Sequence, residues 1–231
     1  MSTVLHYIHD PLCGWCYGAA PLVRAAREVV TVVAHAGGMM AGSNRQQVSS
    51  RLRSYVMPHD RRIAQLTGQH FGEAYFDGLL RDESAVFDSE PPIAAMLAAD
   101  RAAGRGLDLL ARLQVAHYQE GRRIAETAVL VDLAIEIGLD REAFASALSE
   151  ASGEPTQAHI AASRALLARV GGNGFPTFAL EQDGHFTAVD IGPHLGHADD
   201  WKDWLSRPVV ALQPASSSGP AFACGPEGCR I

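Results

Sequence analysis

The chain has no excess of positive charge, no long apolar run and only four cysteines in 231 residues, and each shortage excludes something. A formal net charge of −7 leaves no basic footprint for nucleic acid. The longest apolar stretch, around Val29 to Val33, is far too short to span a bilayer, so no membrane association is expected. Met1-Ser2-Thr3-Val4-Leu5-His6 lacks both the cationic start and the apolar core of a secretion signal, which predicts a cytoplasmic location. At 47% apolar and 19% charged residues the composition is that of a soluble globular protein. The length suits one large domain, or one domain carrying an insertion.

The four cysteines form two close pairs, Cys13/Cys16 and Cys224/Cys229. Scattered cysteines would suggest staples of a secreted scaffold, whereas close pairs suggest redox or metal chemistry. Cys13-Gly14-Trp15-Cys16 follows a short apolar strand, Val4-Leu5-His6-Tyr7-Ile8, and opens a helical stretch from Tyr17 to Val29. Free N–H groups and the positive dipole end at a helix N-terminus stabilise a thiolate, the nucleophilic form of cysteine. Two intervening residues let the second sulfur, on the first helical turn, reach the first, so the pair is able to cycle between dithiol and disulfide. A structural zinc site needs four ligands. No second C-x-x-C and no close Cys/His pair lies nearby, so neither a metal nor a bound cofactor is expected.

Residues 3–9 alternate as a strand, and Val29 to His35 reads as a second, buried strand ended by Gly37-Gly38. Together with the intervening helix, kinked at Pro21, they form a strand–helix–strand unit. Residues 44 to 170 read as almost entirely helical. Gln46 to Val56 predicts a helix stopped before Pro58, with another over Asp60 to Leu66. Ser89 reads as the N-cap of Ile93 to Ala103, and Asp140 as that of Arg141 to Glu150. Phe175 to Leu180 and His185 to Val189, joined by Gln182-Asp183-Gly184, predict a β-hairpin, and His194 to Leu205 a closing helix. From Arg207 the composition shifts to Pro, Ser, Gly and Ala, as in a flexible linker. The expected organisation is an α/β domain at 1–42 and 171–206, an all-helical insertion at 43–170, and a flexible tail at 207–231 with Cys224 and Cys229.

This order, with Asp10-Pro11-Leu12-Cys13-Gly14-Trp15-Cys16 and Gly174-Phe175-Pro176-Thr177-Phe178, resembles the DsbA-like branch of the thioredoxin superfamily, closest to its cytoplasmic FrnE-like members and predicted protein-disulfide isomerases. The resemblance spans about residues 3 to 205. It implies a thioredoxin-like fold with a large helical insertion and thiol–disulfide exchange on proteins. Cys13 would be the nucleophile and Cys16 the resolving thiol. Pro176 would be a cis-proline facing them, with Phe175 and Thr177 beside it to pair with an extended substrate. The Gly-Trp dipeptide puts no cation beside the sulfur, unlike the Pro-His of strong periplasmic oxidants. A less oxidising couple, suited to reduction or isomerisation, is therefore expected. Partners would be protein thiols and disulfides, with glutathione or a thioredoxin-type reductant recycling the pair; the oligomeric state is not legible. Two rivals stand beside this reading: a glutathione-dependent isomerase or transferase of the same fold, and a client-binding chaperone. Both cysteines argue against the former.

Asp10 has two readings, a proton acceptor for Cys16 through water or an N-terminal cap. Trp15 is expected to offer an exposed apolar contact to clients. His6 and His9, on the strand, read as surface or core residues rather than catalytic ones, and His35, His59, His70 and His117 lack metal-ligand spacing and read as structural. In Cys224-Gly225-Pro226-Glu227-Gly228-Cys229, glycine and proline favour a turn that brings the sulfurs together. This second pair is a candidate relay to Cys13/Cys16, or else an inconsequential tail.

Overall fold

Val4–His9 (β1), an alternating run, and Thr31–Ala36 (β2), a β-branched one, pair in parallel, as strands separated by one helical connection should. The computed structural model describes residues 3–207, with the backbone of two further short strands at 223–225 and 228–230. Between β1 and β2 the helix comes in two pieces, Gly14–Gly18 (α1) and Ala20–Ala26 (α2), with Pro21 in the first turn of the second. A proline there loses no intrahelical bond, so the expected kink becomes a break.

Three short helical-region features differ from expectation. Gln46–Gln47 is a strand (β3), paired with Val86–Phe87 (β4). Ser50–Thr67 (α3) runs unbroken through Pro58, with the Ser49 side chain accepting from Leu52 N at its start. Its apolar face, Leu52, Ile63 and Thr67, is buried, and that packing outweighs the one hydrogen bond Pro58 removes. Ser89 makes no side-chain cap for Glu90–Ala103 (α4); its hydroxyl donates to Asp10 instead. Gly106–Tyr118 (α5), Thr127–Glu136 (α6) and Arg141–Ala151 (α7) follow, and Asp140 does cap α7 by accepting from Ala143 N.

Glu154–Arg169 (α8) leads back to the sheet. Thr177–Gln182 (β5) pairs antiparallel with β1, and His185–Val189 (β6) with β5, giving the order β2-β1-β5-β6. Asp183 and Gly184, both at positive φ, make the tight turn between them. A short turn at Gly192–His194 precedes Ala198–Leu205 (α9), so the closing helix starts later than its sequence suggests. Alternation sorts the sheet into two layers. Tyr7 and Phe178 face Trp201 of α9, whose Nε1 donates to Leu22 O of α2. On the opposite face Arg169 of α8 lies 4.0 Å over the Phe186 ring, which packs against His6. α8 thus covers the sheet although it lies before residue 170.

Tyr17 ties the two parts together. Its ring stacks on Tyr118 of α5 at 4.8 Å and meets Phe71 edge-on at 5.1 Å. One continuous buried cluster therefore runs from the sheet through α1 into the helical region. Of the tail expected to be flexible, 207–231, residues 208–222 lie outside the described residues. Beyond them Ala223–Gly225 (β7) and Gly228–Arg230 (β8) pair antiparallel with Cys224 opposite Cys229, and β7 runs beside α1. Among the described residues no helix is long and apolar enough to cross a membrane.

Candidate active site

The loop between β1 and α1 is shaped by Asp10. Its buried carboxyl accepts from Leu12 N at 2.9 Å and the Ser89 hydroxyl at 3.0 Å on Oδ1, and from Met39 N at 2.6 Å on Oδ2. Burial pushes this carboxyl up to about 6, against the pull of those three donors and of Arg164. Asp10 therefore braces the loop against the segment after β2 and against α4; the helix cap is a different residue.

That cap is Cys13. It has extended backbone, and its Sγ accepts from Cys16 N at 3.3 Å, the place a serine or aspartate oxygen occupies in an ordinary N-cap. Both cysteines are free and fully buried. Burial, followed by the adjacent Cys13 sulfur, holds the Cys16 thiol well above the usual cysteine range.

Residues far away in sequence complete the site. The Phe175-Pro176 peptide is cis, and the Phe175 carbonyl accepts from Cys13 Sγ at 3.4 Å. Thr177 Oγ1 donates to Gly174 O at 2.8 Å and closes that turn. A Cβ on Gly37 would lie 2.2 Å from the Phe175 ring, so glycine there lets the tip of the ring approach the backbone closely. Arg164 of α8 fixes the same stretch by donating to Gly37 O and Gly38 O at 2.7 and 2.6 Å. The fold thus brings Asp10, Cys13, Cys16, Phe175, Pro176 and Thr177 into one place.

Trp15 departs from expectation. It is 1% exposed, a member of the core rather than a surface contact. A bulky apolar residue between the cysteines thus joins the continuous buried cluster that holds α1 and the helical region together. The histidines fall elsewhere. His6 Nδ1 and His35 Nε2 are 2.8 Å apart, with His6 Nε2 2.8 Å from Glu181. Burial drives His9 and His117 down to about 3, so both are neutral. Among the described residues no group of three or more His, Cys, Asp or Glu is placed to hold a metal ion.

Two site residues escape a reading by motif. Asp60 of α3 lies over Gly14, is buried, and accepts from the Tyr75 hydroxyl at 2.8 Å; burial lifts it to about 7. An acid between Val56 and Ile63 on an apolar helix face was its only sequence signal. Tyr7 on β1 sits beneath the pair and donates to Cys16 O at 3.3 Å. Beside the cysteines opens a cavity of about 280 Å³, with Leu12, Gly14, Met39 and Asp60 in its wall and Arg45 and His59 among its polar groups.

Cys13 capping the helix, Cys16 on its first turn and a cis-proline facing Cys13 form a dithiol site of thioredoxin type. The chain belongs to the DsbA-like thioredoxin domain family, whose model matches residues 4–192, and it is a thiol–disulfide oxidoreductase. Among solved structures it is similar to the cytosolic disulfide reductase DsbM from Pseudomonas aeruginosa, at 60% identity and a TM-score of 0.83, over 87% of this chain and 96% of that one. DsbM has also been solved with glutathione, matching at 57% identity and a TM-score of 0.82 over the same shares. A chain from Nitrosomonas europaea, at 22% identity and a TM-score of 0.72 over 89% and 96%, shares the fold. No curated protein matched the chain.

Proposed function

We propose that this protein is a disulfide reductase that acts on protein disulfides through Cys13 and Cys16 and is recycled by glutathione. The observation that carries the reading is the Cys13 sulfur, set at the start of α1 between Cys16 N–H and the Phe175 carbonyl. The Cys13 thiolate attacks a client disulfide, forming a Cys13–client bond and releasing one client thiolate. Cys16 then attacks Cys13, the Cys13–client bond breaks, and the client leaves reduced. Two glutathione thiols reverse the Cys13–Cys16 disulfide in the same two-step manner. Likeness to a cytosolic disulfide reductase, solved also with glutathione, supports this direction, as does the absence of a cation between the cysteines. The cavity beside Gly14 gives glutathione or a client side chain a place to lie. The Phe175–Thr177 segment offers backbone for an extended partner. Asp10 holds the loop in position for both steps.

Cys224 and Cys229 are read as a second dithiol that exchanges with Cys13/Cys16. Support comes from their facing register in β7 and β8 and from the course of β7 beside α1. Facing residues of an antiparallel pair sit about 4.5–5.5 Å apart at Cα, inside the range a disulfide bridges.

Equilibration with glutathione buffers is the primary test: the Cys13/Cys16 couple should be mostly dithiol at reducing cytosolic ratios. A strongly oxidising potential would overturn the reductase reading in favour of an oxidant. Cys13→Ser should abolish glutathione-driven reduction of insulin-type disulfides; if the variant loses nothing yet suppresses aggregation, a chaperone remains. Cys224→Ser with Cys229→Ser should slow turnover, and an unchanged rate and redox state of Cys13/Cys16 would remove the relay.

A further inference from the structure

Cys16 must lose a proton before it can resolve a mixed disulfide, and it has no surface of its own. The groups facing it are Tyr7 from β1, Cys13 and the Asp10 backbone from the preceding loop, and Tyr118 from α5. Asp60 of α3 lies on the far side, over Gly14, and neutral His9 stacks on the Tyr7 ring at 4.7 Å. The Asp10 carboxyl acts on Cys16 through its charge, which opposes the thiolate, and three donors already hold most of its acceptor sites.

Behind Tyr7 the molecule opens. A cleft of about 460 Å³ lies between α2 and α5, with Tyr7 and Gln114 in its buried part and Arg27 and Asp108 in its exposed part. Its middle is a polar ladder: Gln119 Nε2 donates to Tyr17 Oη at 2.7 Å, Gln69 Nε2 to Tyr17 O at 2.8 Å, and Tyr17 Oη to His70 O at 2.7 Å. Gln114 is 1% exposed, and its Nε2 has no hydrogen-bond partner although the amide faces the Tyr7 phenol. A buried amide donor of this kind calls for an acceptor, and a roomy cleft that also carries the Tyr7, Tyr17, Gln69 and Gln119 polar groups is where ordered water supplies one.

We propose that this cleft is the proton path of Cys16: water held by the Tyr7 hydroxyl and the Gln114 amide takes the Cys16 proton out between α2 and α5, and Tyr7 steadies the thiolate left behind. The Tyr7 hydroxyl is in reach of both the Cys16 carbonyl and its side chain. In balance, the Cys16 thiol gives its proton to cleft water and the sulfur attacks Cys13. The Cys13–Cys16 bond forms as the Cys13–client bond breaks, and the departing client thiolate takes a proton from solvent. Two electrons pass from the dithiol to the client, and no further redox partner enters.

The inference rests on the reading of Cys16 as the resolving thiol, and one experiment separates the two. Reduced full-length protein carrying Cys224→Ser and Cys229→Ser, mixed with dithiobis(nitrobenzoate) in a stopped-flow, should release nitrothiobenzoate twice, first by Cys13 attack and then by Cys16 resolution. Absence of a second release that Cys16→Ser removes would sink the resolving role itself. Given two releases, Tyr7→Phe should leave the first unchanged, slow the second about tenfold, and move its pH profile upward. Gln114→Leu should slow the second alone, by a smaller factor. A second phase unchanged in rate and pH profile in both variants, or both phases slowed together, would overturn the proton path.

Discussion

Asp60 Oδ1 occupies the space beside Gly14, 2.6 Å from where a Cβ would stand, with Ile63 Cδ1 3.0 Å away. The glycine between the cysteines is therefore matched to a buried acid 46 positions later. Gly14→Ala should destabilise the reduced protein by about 1–3 kcal/mol in urea denaturation, the usual cost of overpacking. Because the clash has a named partner, Asp60→Ala should make the same substitution nearly neutral. Additive effects in the four-protein cycle would show that the two residues do not meet in solution.

The same carboxyl gives a pH signature. Burial lifts Asp60 to about 7 in the fold, against about 4 when unfolded. Between those values the folded state binds a proton that the unfolded state does not, so stability contributed by Asp60 is present at low pH and falls as pH rises to 7. Asp10, at about 6, acts in the same direction. His9 and His117, driven down to about 3, act oppositely, because below about 6.5 the unfolded chain binds protons that the fold excludes. The sign is isolated by Asp60→Asn: its stability relative to the parent should rise by roughly 2–4 kcal/mol between pH 4.5 and 8. A difference independent of pH would mean that Asp60 is ionised throughout.

What the sequence disclosed about this site was what is local or fixed by a motif. Cys13 and Cys16 are three residues apart on one turn, and the Phe-Pro-Thr run before a hairpin identified the facing loop. The strands were legible because β1 and β2 are β-branched or alternating. Contacts closed only by the fold were not legible. Ser89 has the spacing of a helix cap, but tertiary packing turns its hydroxyl toward Asp10. Pro58 is a helix breaker by local rules, yet a helix with one face buried on both sides of it continues. Trp15 looks like a surface anchor from its place between the cysteines, yet the fold buries it. Tyr7 reads as an ordinary strand residue, and only the third dimension puts its hydroxyl under Cys16.

Arg164 tests whether the segment after β2 needs bracing. It is the donor to both Gly37 O and Gly38 O, and charge-assisted bonds of this kind are worth more than neutral ones. Arg164→Met keeps much of the stem and removes both bonds. A loss of about 1.5–3 kcal/mol in thermal or urea unfolding is expected. Since Arg164 also lowers Asp10, the variant should carry a more strongly raised Asp10 carboxyl, visible as a steeper fall of stability with pH near 6. An unchanged unfolding midpoint would mean water replaces the guanidinium without penalty.

Gly37 connects that segment to the Cys13 sulfur. A methyl on it would enter the Phe175 ring, with Cζ 2.2 Å and Cε1 2.4 Å from the added carbon. The ring is buried, so turning it aside presses on packed neighbours and on its own backbone, whose carbonyl accepts from Cys13 Sγ. Gly37→Ala should therefore displace the Phe175–Thr177 segment relative to the cysteines. Misplacement of a docking group by about 1 Å can cost on the order of a hundredfold in rate. Glutathione-driven reduction of a protein disulfide should accordingly fall at least about tenfold, while the first nitrothiobenzoate release, which uses a small reagent with no extended chain to dock, should fall much less. Equal losses with both substrates would indicate that the substitution disturbs Cys13 itself; intact protein-disulfide turnover would mean that the partner chain docks elsewhere.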